Sequence, residues 1–191
     1  NYLKNCIVNN SVSTIGKFVK KFEDEISKLT GSKYVVSTNS GTSAIHIACL
    51  LMDIKKNDEV LIPSFTFAGT ANAVKYCGAI PHFVDIEEKN FGINVKKLTN
   101  YLNEITVKKK NFFFNKKTGR KIKAIIPVHI FGHFVQIKEL TQLAKKFKLA
   151  IIEDAAEAIG SFYKTKHAGT FGNIGVLSFN GNKTITCGAG G

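Results

Sequence analysis

The sequence predicts an α/β fold, a three-layer α/β/α arrangement with a mainly parallel sheet. Short apolar runs rich in β-branched residues alternate along the chain with segments of helical period, which is the pattern of strand–helix–strand units. Several of these runs end in small polar or acidic residues, as strands do at the ligand-binding edge of an open parallel sheet. No internal repeat or low-complexity linker interrupts the pattern, so the sequence predicts one domain, residues 1–191.

The individual elements follow from the same patterns. Helices are expected at residues 16–29, 43–51, 95–105 and 136–147 and from Thr70, where apolar residues recur at helical spacing. Strands are expected at residues 81–86 and from Tyr34, Glu59, Ala124, Leu149 and Val176. The lysine-rich segment 108–117 is interpreted as a solvated excursion, with an RNA-binding patch as the minor alternative.

The composition argues against several classes of function. The formal net charge is +13, but Arg120 is the only arginine among 27 basic residues, and proteins that read nucleic acid rely on arginine forks. No apolar run is long enough to span a bilayer. The cysteines are too scattered for a zinc site and suggest reduced thiols; they are Cys6, Cys49, Cys77 and Cys187. The sequence therefore predicts a cytoplasmic protein without nucleic acid, membrane or metal as a partner.

Lys183 is the first candidate for chemistry. It lies in a polar, glycine-rich loop that directly follows the predicted strand at Val176. A lysine held at such a strand exit, away from bulk solvent, can lose its proton and attack an aldehyde to form a Schiff base. Because the chain is rich in lysine, a solvated loop lysine is the alternative for Lys183 taken alone.

Asp154 is the second candidate, at the end of the apolar run from Leu149. At the carboxyl end of a strand, its carboxylate can keep the ring nitrogen of pyridoxal phosphate protonated, while Ala155 and Ala156 leave room for a flat group. The alternative is a helix N-cap, because Asp before an Ala-rich segment commonly starts a helix.

Two further strand ends are candidates for binding the rest of such a cofactor. The helix expected to start near Gly41 and Thr42 offers free N–H groups and the positive end of its dipole to a phosphate. An aromatic residue after the Glu59 strand can stack on a planar ring, with Phe67 preferred over Phe65. An ordinary capped helix and core packing are the respective alternatives.

Together these segments resemble the DegT/DnrJ/EryC1/StrS family of sugar aminotransferases, fold-type I enzymes that depend on pyridoxal phosphate. The resemblance rests on Asn-Ser-Gly-Thr at 39–42, Pro-Ser-Phe-Thr-Phe at 63–67, Pro-Val-His-Ile-Phe-Gly at 127–132 and the Lys183 loop, and it extends to residues 12–19. The order of these motifs and the spacing from Asp154 to Lys183 agree with the family.

The resemblance implies two catalytic residues. Lys183 forms the Schiff base with pyridoxal 5'-phosphate, and Asp154 pairs with the ring nitrogen of that cofactor. The other implied contacts with the cofactor are made by Gly41, Thr42, Phe67, Glu157 and Ser178.

Each of these contacts has an implied part of the cofactor. Gly41, Thr42 and Ser178 match phosphate-binding positions, Phe67 matches the aromatic that stacks on the ring, and Glu157 matches a position that approaches the ring's hydroxyl side. His129 also falls in a family motif, with a hydrogen-bonded core residue as the alternative role.

Within the family, residues 118–129 and 178–183 are most similar to the LegC-type branch, and the lysine loop is also similar to that of perosamine synthases. This implies amination of a nucleotide-linked 4-keto-6-deoxy sugar, a UDP- or GDP-linked N-acetylhexosamine derivative, in the biosynthesis of surface polysaccharide or glycan amino sugars. The implied amino donor is L-glutamate. The family also implies a homodimer with shared active sites, and the chain is expected to be a fragment that lacks a smaller C-terminal domain.

Other classes of protein stay open as alternatives. Some relatives use pyridoxamine phosphate for sugar dehydration and carry histidine in place of the lysine, so Lys183 argues against such a dehydratase. A non-catalytic sensor of sugar nucleotides would keep the phosphate pocket but would need neither Lys183 nor Asp154. An NAD-dependent dehydrogenase is disfavoured because no glycine-rich fingerprint follows a predicted strand.

Overall fold

The computed structural model describes residues 2–11 and 16–191, so the first half of the family motif at residues 12–19 lies outside the described residues. The chain divides into two compact units, one within residues 1–37 and one at residues 38–191. The first unit holds α1 (Tyr2–Val8) and α2 (Lys17–Thr30). Gly31 follows α2 as its C-cap, and its left-handed backbone (φ 75°) lets its N–H donate to the Ser27 carbonyl.

The strand predicted from Tyr34 does not form. Residues 34–37 carry no strand, and the side chains of Tyr34 and Val36 are exposed. A β-strand needs a neighbouring strand to bond its backbone groups, and within the described residues this segment has none. The strand prediction is therefore wrong for residues 34–37.

The second unit is built on a seven-stranded sheet and a short hairpin. Its strands are β1 (Glu59–Pro63), β2 (Ile80–Val84), β3 (Thr106–Lys109), β4 (Phe112–Asn115), β5 (Lys121–Ile125), β6 (Ala150–Asp154), β7 (Phe162–Tyr163), β8 (Lys166–His167) and β9 (Ile174–Val176). Its α-helices are α3 (Gly41–Leu51), α4 (Ala68–Tyr76), α5 (Val95–Ile105) and α6 (Ile137–Phe147). Strands β2, β1, β5, β6 and β9 are adjacent in that order and all parallel.

The segment interpreted as a solvated excursion is a β-hairpin that extends this sheet. Strands β3 and β4 pair antiparallel, and β4 pairs with the first half of β5 through Phe113 and Ile122. Strand β6 pairs with the second half of β5, so β4 and β6 share the same edge of β5. The Phe113 ring packs on Phe147 at 5.0 Å, while Lys108 and Lys109 stay exposed on the edge strand.

Helices cover both faces of the sheet. Successive residues of β1 point to opposite faces, with Leu61 in one apolar cluster and Val60 and Ile62 in the other. Helices α5 and α6 pack into the cluster with Leu61, and helices α3 and α4 pack into the other. This is the predicted three-layer arrangement. Among the described helices, none is long and apolar enough to cross a bilayer.

Candidate active site

Helix α3 presents free backbone donors at its N-terminus. Ser40 caps the helix, its Oγ accepting from the Ser43 N–H at 3.1 Å, and its carbonyl accepts from Ala44. Within the described part of the chain, the N–H groups of Gly41 and Thr42 make no hydrogen bond. These two donors, at the positive end of the helix dipole, suit an anion such as a phosphate.

Two glycines bring other candidates up to this helix end. A Cβ added at Gly41 would lie 3.0 Å from the Cβ of Ser178, which is buried just after β9. A Cβ added at Gly69 would lie 2.5 Å from Thr42 Oγ1 and 3.0 Å from Cδ1 of Phe67. The absence of a side chain at both positions therefore lets Thr42, Phe67 and Ser178 gather at one edge of the sheet.

Phe67 is the better placed of the two aromatic candidates. It is the N-cap residue of α4, and 76% of its surface is exposed beside Thr42. The ring of Phe65 instead packs against Phe91, with the ring centroids 5.6 Å apart. The core-packing alternative for Phe67 is excluded by its exposure.

Asp154 is a buried carboxylate at the carboxyl end of β6. Its Oδ2 accepts from Thr70 Oγ1 at 2.7 Å and its Oδ1 accepts from the Ala156 N–H at 3.2 Å. No helix begins after β6, so the N-cap alternative is excluded. Burial raises the pKa of Asp154, and the hydrogen bonds from Thr70 and Ala156, with the charge of Lys183, offset only part of that effect. A cationic group beside this carboxylate would favour its ionised form.

Lys183 is held rather than solvated. Only 14% of its side chain is exposed, and its Nζ lies 3.2 Å from Oε1 of Glu157. The other carboxylate oxygen of Glu157 accepts from the Phe131 N–H at 3.0 Å. The solvated-loop alternative for Lys183 is therefore excluded, and Glu157 is its direct partner.

His129 is part of the core. Its side chain is completely buried, and its Nε2 lies 3.0 Å from Oε2 of Glu153. Glu153 also accepts from the N–H groups of Gly169, Phe171 and Gly172, so it organises the loop before β9. These contacts favour the alternative of a hydrogen-bonded core histidine.

The sequence reasoning missed Thr70 as a site residue. It is buried on α4, 84 positions from the carboxylate to which it donates, and it also bonds Thr66 Oγ1 at 2.9 Å. The available signal was a polar residue on the apolar side of a helix made of small residues. That signal identifies a buried hydroxyl but not its partner.

The chain matches the DegT/DnrJ/EryC1/StrS aminotransferase family over residues 1–191. It belongs to this family. The GDP-perosamine synthase of Escherichia coli O157:H7 is 37% identical over 190 residues, which are 100% of the chain and 48% of that relative. The solved structure of a DegT DnrJ EryC1 StrS aminotransferase from Brucella abortus is 32% identical, with a TM-score of 0.87. The match covers 97% of the present chain and 48% of the Brucella chain.

A further solved structure contains a cofactor. NtdA from Bacillus subtilis, described with bound cofactor PMP, is 30% identical, with a TM-score of 0.80. The match covers 96% of the present chain and 38% of the NtdA chain. The chain thus spans about half or less of these relatives' lengths. The predicted family and fold class are confirmed, and membership of the family supports the predicted enzyme and cofactor classes.

Proposed function

We propose that the complete protein transfers an amino group from L-glutamate to the C4 keto group of a nucleotide-linked 4-keto-6-deoxy sugar, with pyridoxal phosphate as its cofactor. The observation that carries this proposal is the pairing of a partly buried Lys183 with Glu157 at the sheet edge that also holds the buried Asp154. Family membership and the similarity to GDP-perosamine synthase support it.

The residues present fit this cofactor group by group. The free N–H groups of Gly41 and Thr42, with the Ser178 hydroxyl beside them, suit its phosphate. The exposed ring of Phe67 suits its ring face, and the Asp154 carboxylate suits its protonated ring nitrogen. That cation would offset the burial that raises the pKa of Asp154.

When bound, pyridoxal phosphate supplies an aldehyde that accepts the amino group and a ring that stabilises the electron pair left on the donor's α-carbon. Lys183 supplies the amine that binds the aldehyde and, once free, moves a proton at the donor's α-carbon. Glu157 orients that amine through its Oε1 contact, and Thr70 fixes the Asp154 carboxylate through Oδ2.

The substrate is proposed at finer detail than the family alone gives. We propose a UDP- or GDP-linked N-acetylhexosamine derivative whose product enters surface polysaccharide or glycan amino sugars. The LegC-type segments at 118–129 and 178–183 support the N-acetylated sugar, and the perosamine synthase relative supports GDP. We also propose a cytoplasmic location, which agrees with four unpaired cysteines.

We propose that the complete protein is a homodimer with shared active sites. Helix α3 leaves Ile47, Leu50 and Leu51 exposed, and Tyr76 of α4 is exposed as well. Apolar side chains at adjacent positions of one helix face suit a protein interface. Sedimentation of the complete protein with Leu51→Glu tests this: a dimer that persists unchanged in the variant would rule out this face as the interface.

The decisive experiment treats the complete protein with pyridoxal phosphate, fixes the product with borohydride and maps the modified peptide by mass spectrometry. We expect the label on Lys183, and we expect L-glutamate to change the cofactor's absorption while 2-oxoglutarate appears. Lys183→Ala should lose labelling and turnover, while Lys117→Ala, at an exposed loop lysine, should keep both. Substantial transamination by Lys183→Ala would overturn the proposal.

A further inference from the structure

Phe131 has a backbone conformation that bulky residues seldom adopt. Its φ is 51° and its ψ is 27°, in the left-handed region, and Gly132 follows with φ 82°. In this region the Cβ of a bulky residue crowds the backbone, so the conformation is unfavourable. The side chain gains no burial in return, since 67% of the residue's surface is exposed. Strain of this kind concentrates at functional sites.

The turn at Phe131 is held by the same carboxylate that holds Lys183. The Phe131 N–H donates to Oε2 of Glu157 at 3.0 Å, and Oε1 of Glu157 lies 3.2 Å from Lys183 Nζ. The turn also packs closely, because a Cβ added at Gly132 would lie 3.0 Å from Ser161 Oγ. A single carboxylate group therefore separates the Phe131 backbone from the proposed reacting amine.

The Phe131 ring is also exposed. Within residues 2–11 and 16–191, no aromatic ring or cation pairs with it, whereas the exposed Phe65 packs on Phe91 and the exposed Phe162 packs on His167. An exposed aromatic face on a turn beside a reaction centre suits the apolar C–H face of a pyranose ring. The methyl group of a 6-deoxy sugar would add to that apolar face.

We propose that the ring of Phe131 is a stacking subsite for the hexose of the acceptor substrate, a role that rests on the proposed function. The reacting carbon of the sugar must come within reach of Lys183, and the turn held by Glu157 presents Phe131 next to that amine. The backbone conformation fixes the direction in which the Phe131 side chain leaves the chain, which reduces the cost of ordering the ring when the sugar binds. Phe67 remains the residue for the cofactor ring.

The test measures binding and the half-reaction with L-glutamate in the complete protein. For Phe131→Ala we expect about tenfold weaker calorimetric binding of whichever unreactive nucleotide-sugar the wild type binds, GDP-mannose or UDP-N-acetylglucosamine. Binding of the free nucleotide, and the rate with L-glutamate, should stay within about twofold of the wild type. Phe83→Ala, at an exposed phenylalanine on β2, is the matched control. It should change neither the two binding affinities nor the rate with L-glutamate.

Two more variants distinguish the effect of the Phe131 ring on binding from the effect of the strained backbone. Phe131→Gly relieves the left-handed conformation and should raise the free energy of unfolding above that of Phe131→Ala, yet bind the nucleotide-sugar as weakly. Phe131→Tyr keeps an aromatic face and should bind like the wild type. Recovery of binding in Phe131→Gly would show that the backbone, and not the ring, matters, and would overturn the subsite.

Other outcomes also decide the question. If Phe131→Ala weakens binding of the free nucleotide as much as binding of the nucleotide-sugar, the ring contacts the nucleotide base and the sugar subsite is overturned. If Phe131→Ala dissociates the dimer, the ring contacts a partner subunit and the sugar subsite is likewise overturned. Failure of wild-type protein to label at Lys183 would refute the proposed function itself. Labelling at Lys183 with unchanged sugar binding in Phe131→Ala would refute only the subsite.

Discussion

Replacing Thr70 by Val removes the side-chain donor to Asp154 at nearly constant volume. The Thr70 hydroxyl is buried and lies 2.7 Å from Oδ2, so no water can substitute for it without rearrangement. A hydrogen bond to an ionised carboxylate contributes about 2 kcal/mol, and one to a neutral carboxyl about 1 kcal/mol. The variant should therefore lose about 1 kcal/mol more stability where Asp154 is ionised than where it is protonated.

The sign of the pH dependence follows from the raised pKa of Asp154. The folded protein binds this proton more tightly than the unfolded chain does, so the contribution of Asp154 to stability falls as pH rises from the ordinary Asp pKa through the raised one. Thr70→Val should steepen that fall and extend it to higher pH.

Urea unfolding of the complete, cofactor-free protein between pH 4 and 8 measures this difference. Thr99→Val is the matched control, because the Thr99 hydroxyl donates to the Val95 carbonyl of its own helix. Thr99→Val should lower the free energy of unfolding by an amount that does not change with pH. A difference between Thr70→Val and wild type that stays constant with pH would refute the reasoning about Asp154.

Three other predictions concern separate parts of the chain. Burial raises the pKa of Glu59, but hydrogen bonds from His82, Thr118 and Asn115 outweigh it and lower the pKa. Glu59→Gln should therefore cost about 2 kcal/mol in urea unfolding at pH 7, and progressively less as the pH falls below the ordinary Glu pKa and through the lowered one. Gly69→Ala should weaken pyridoxal phosphate binding at least about tenfold, because its Cβ displaces Thr42 and Phe67; unchanged titration by absorbance would contradict that. Burial raises the pKa of the Cys49 thiol to about 12, so mass spectrometry after alkylation at pH 8 should find Cys187 modified first and Cys49 last.

Local patterns predicted the parts of the fold that depend on local structure. Helix α5 spans Val95–Ile105 as its apolar spacing predicts, and α6 and β6 begin within one residue of their predicted starts. The strand ends at Asp154 and Pro63 also fall where the polar residues indicated. These features are set by side-chain period and by the residues that end each run.

Pairing between distant segments could not be predicted in the same way. The Tyr34 segment has strand composition but no neighbouring strand within the described residues, while residues 106–115 form a hairpin because β5 offers them an edge. At the candidate site, the types of residue were predicted from motifs, but the contacts of Thr70 with Asp154 and of Phe131 with Glu157 were not. Hydrogen bonds across tens of residues leave no periodic trace in a sequence.

The contact between Thr70 and Asp154 also limits when the site can exist. The two residues are 84 positions apart, and Lys183 follows still later in the chain. During synthesis on a ribosome, the N-terminus of α3 emerges early, but Lys183 follows only after more than a hundred further residues have been translated. If Lys183 binds the cofactor as proposed, the early chain cannot retain it covalently, so cofactor capture would report that the chain has been completed as far as the loop after β9.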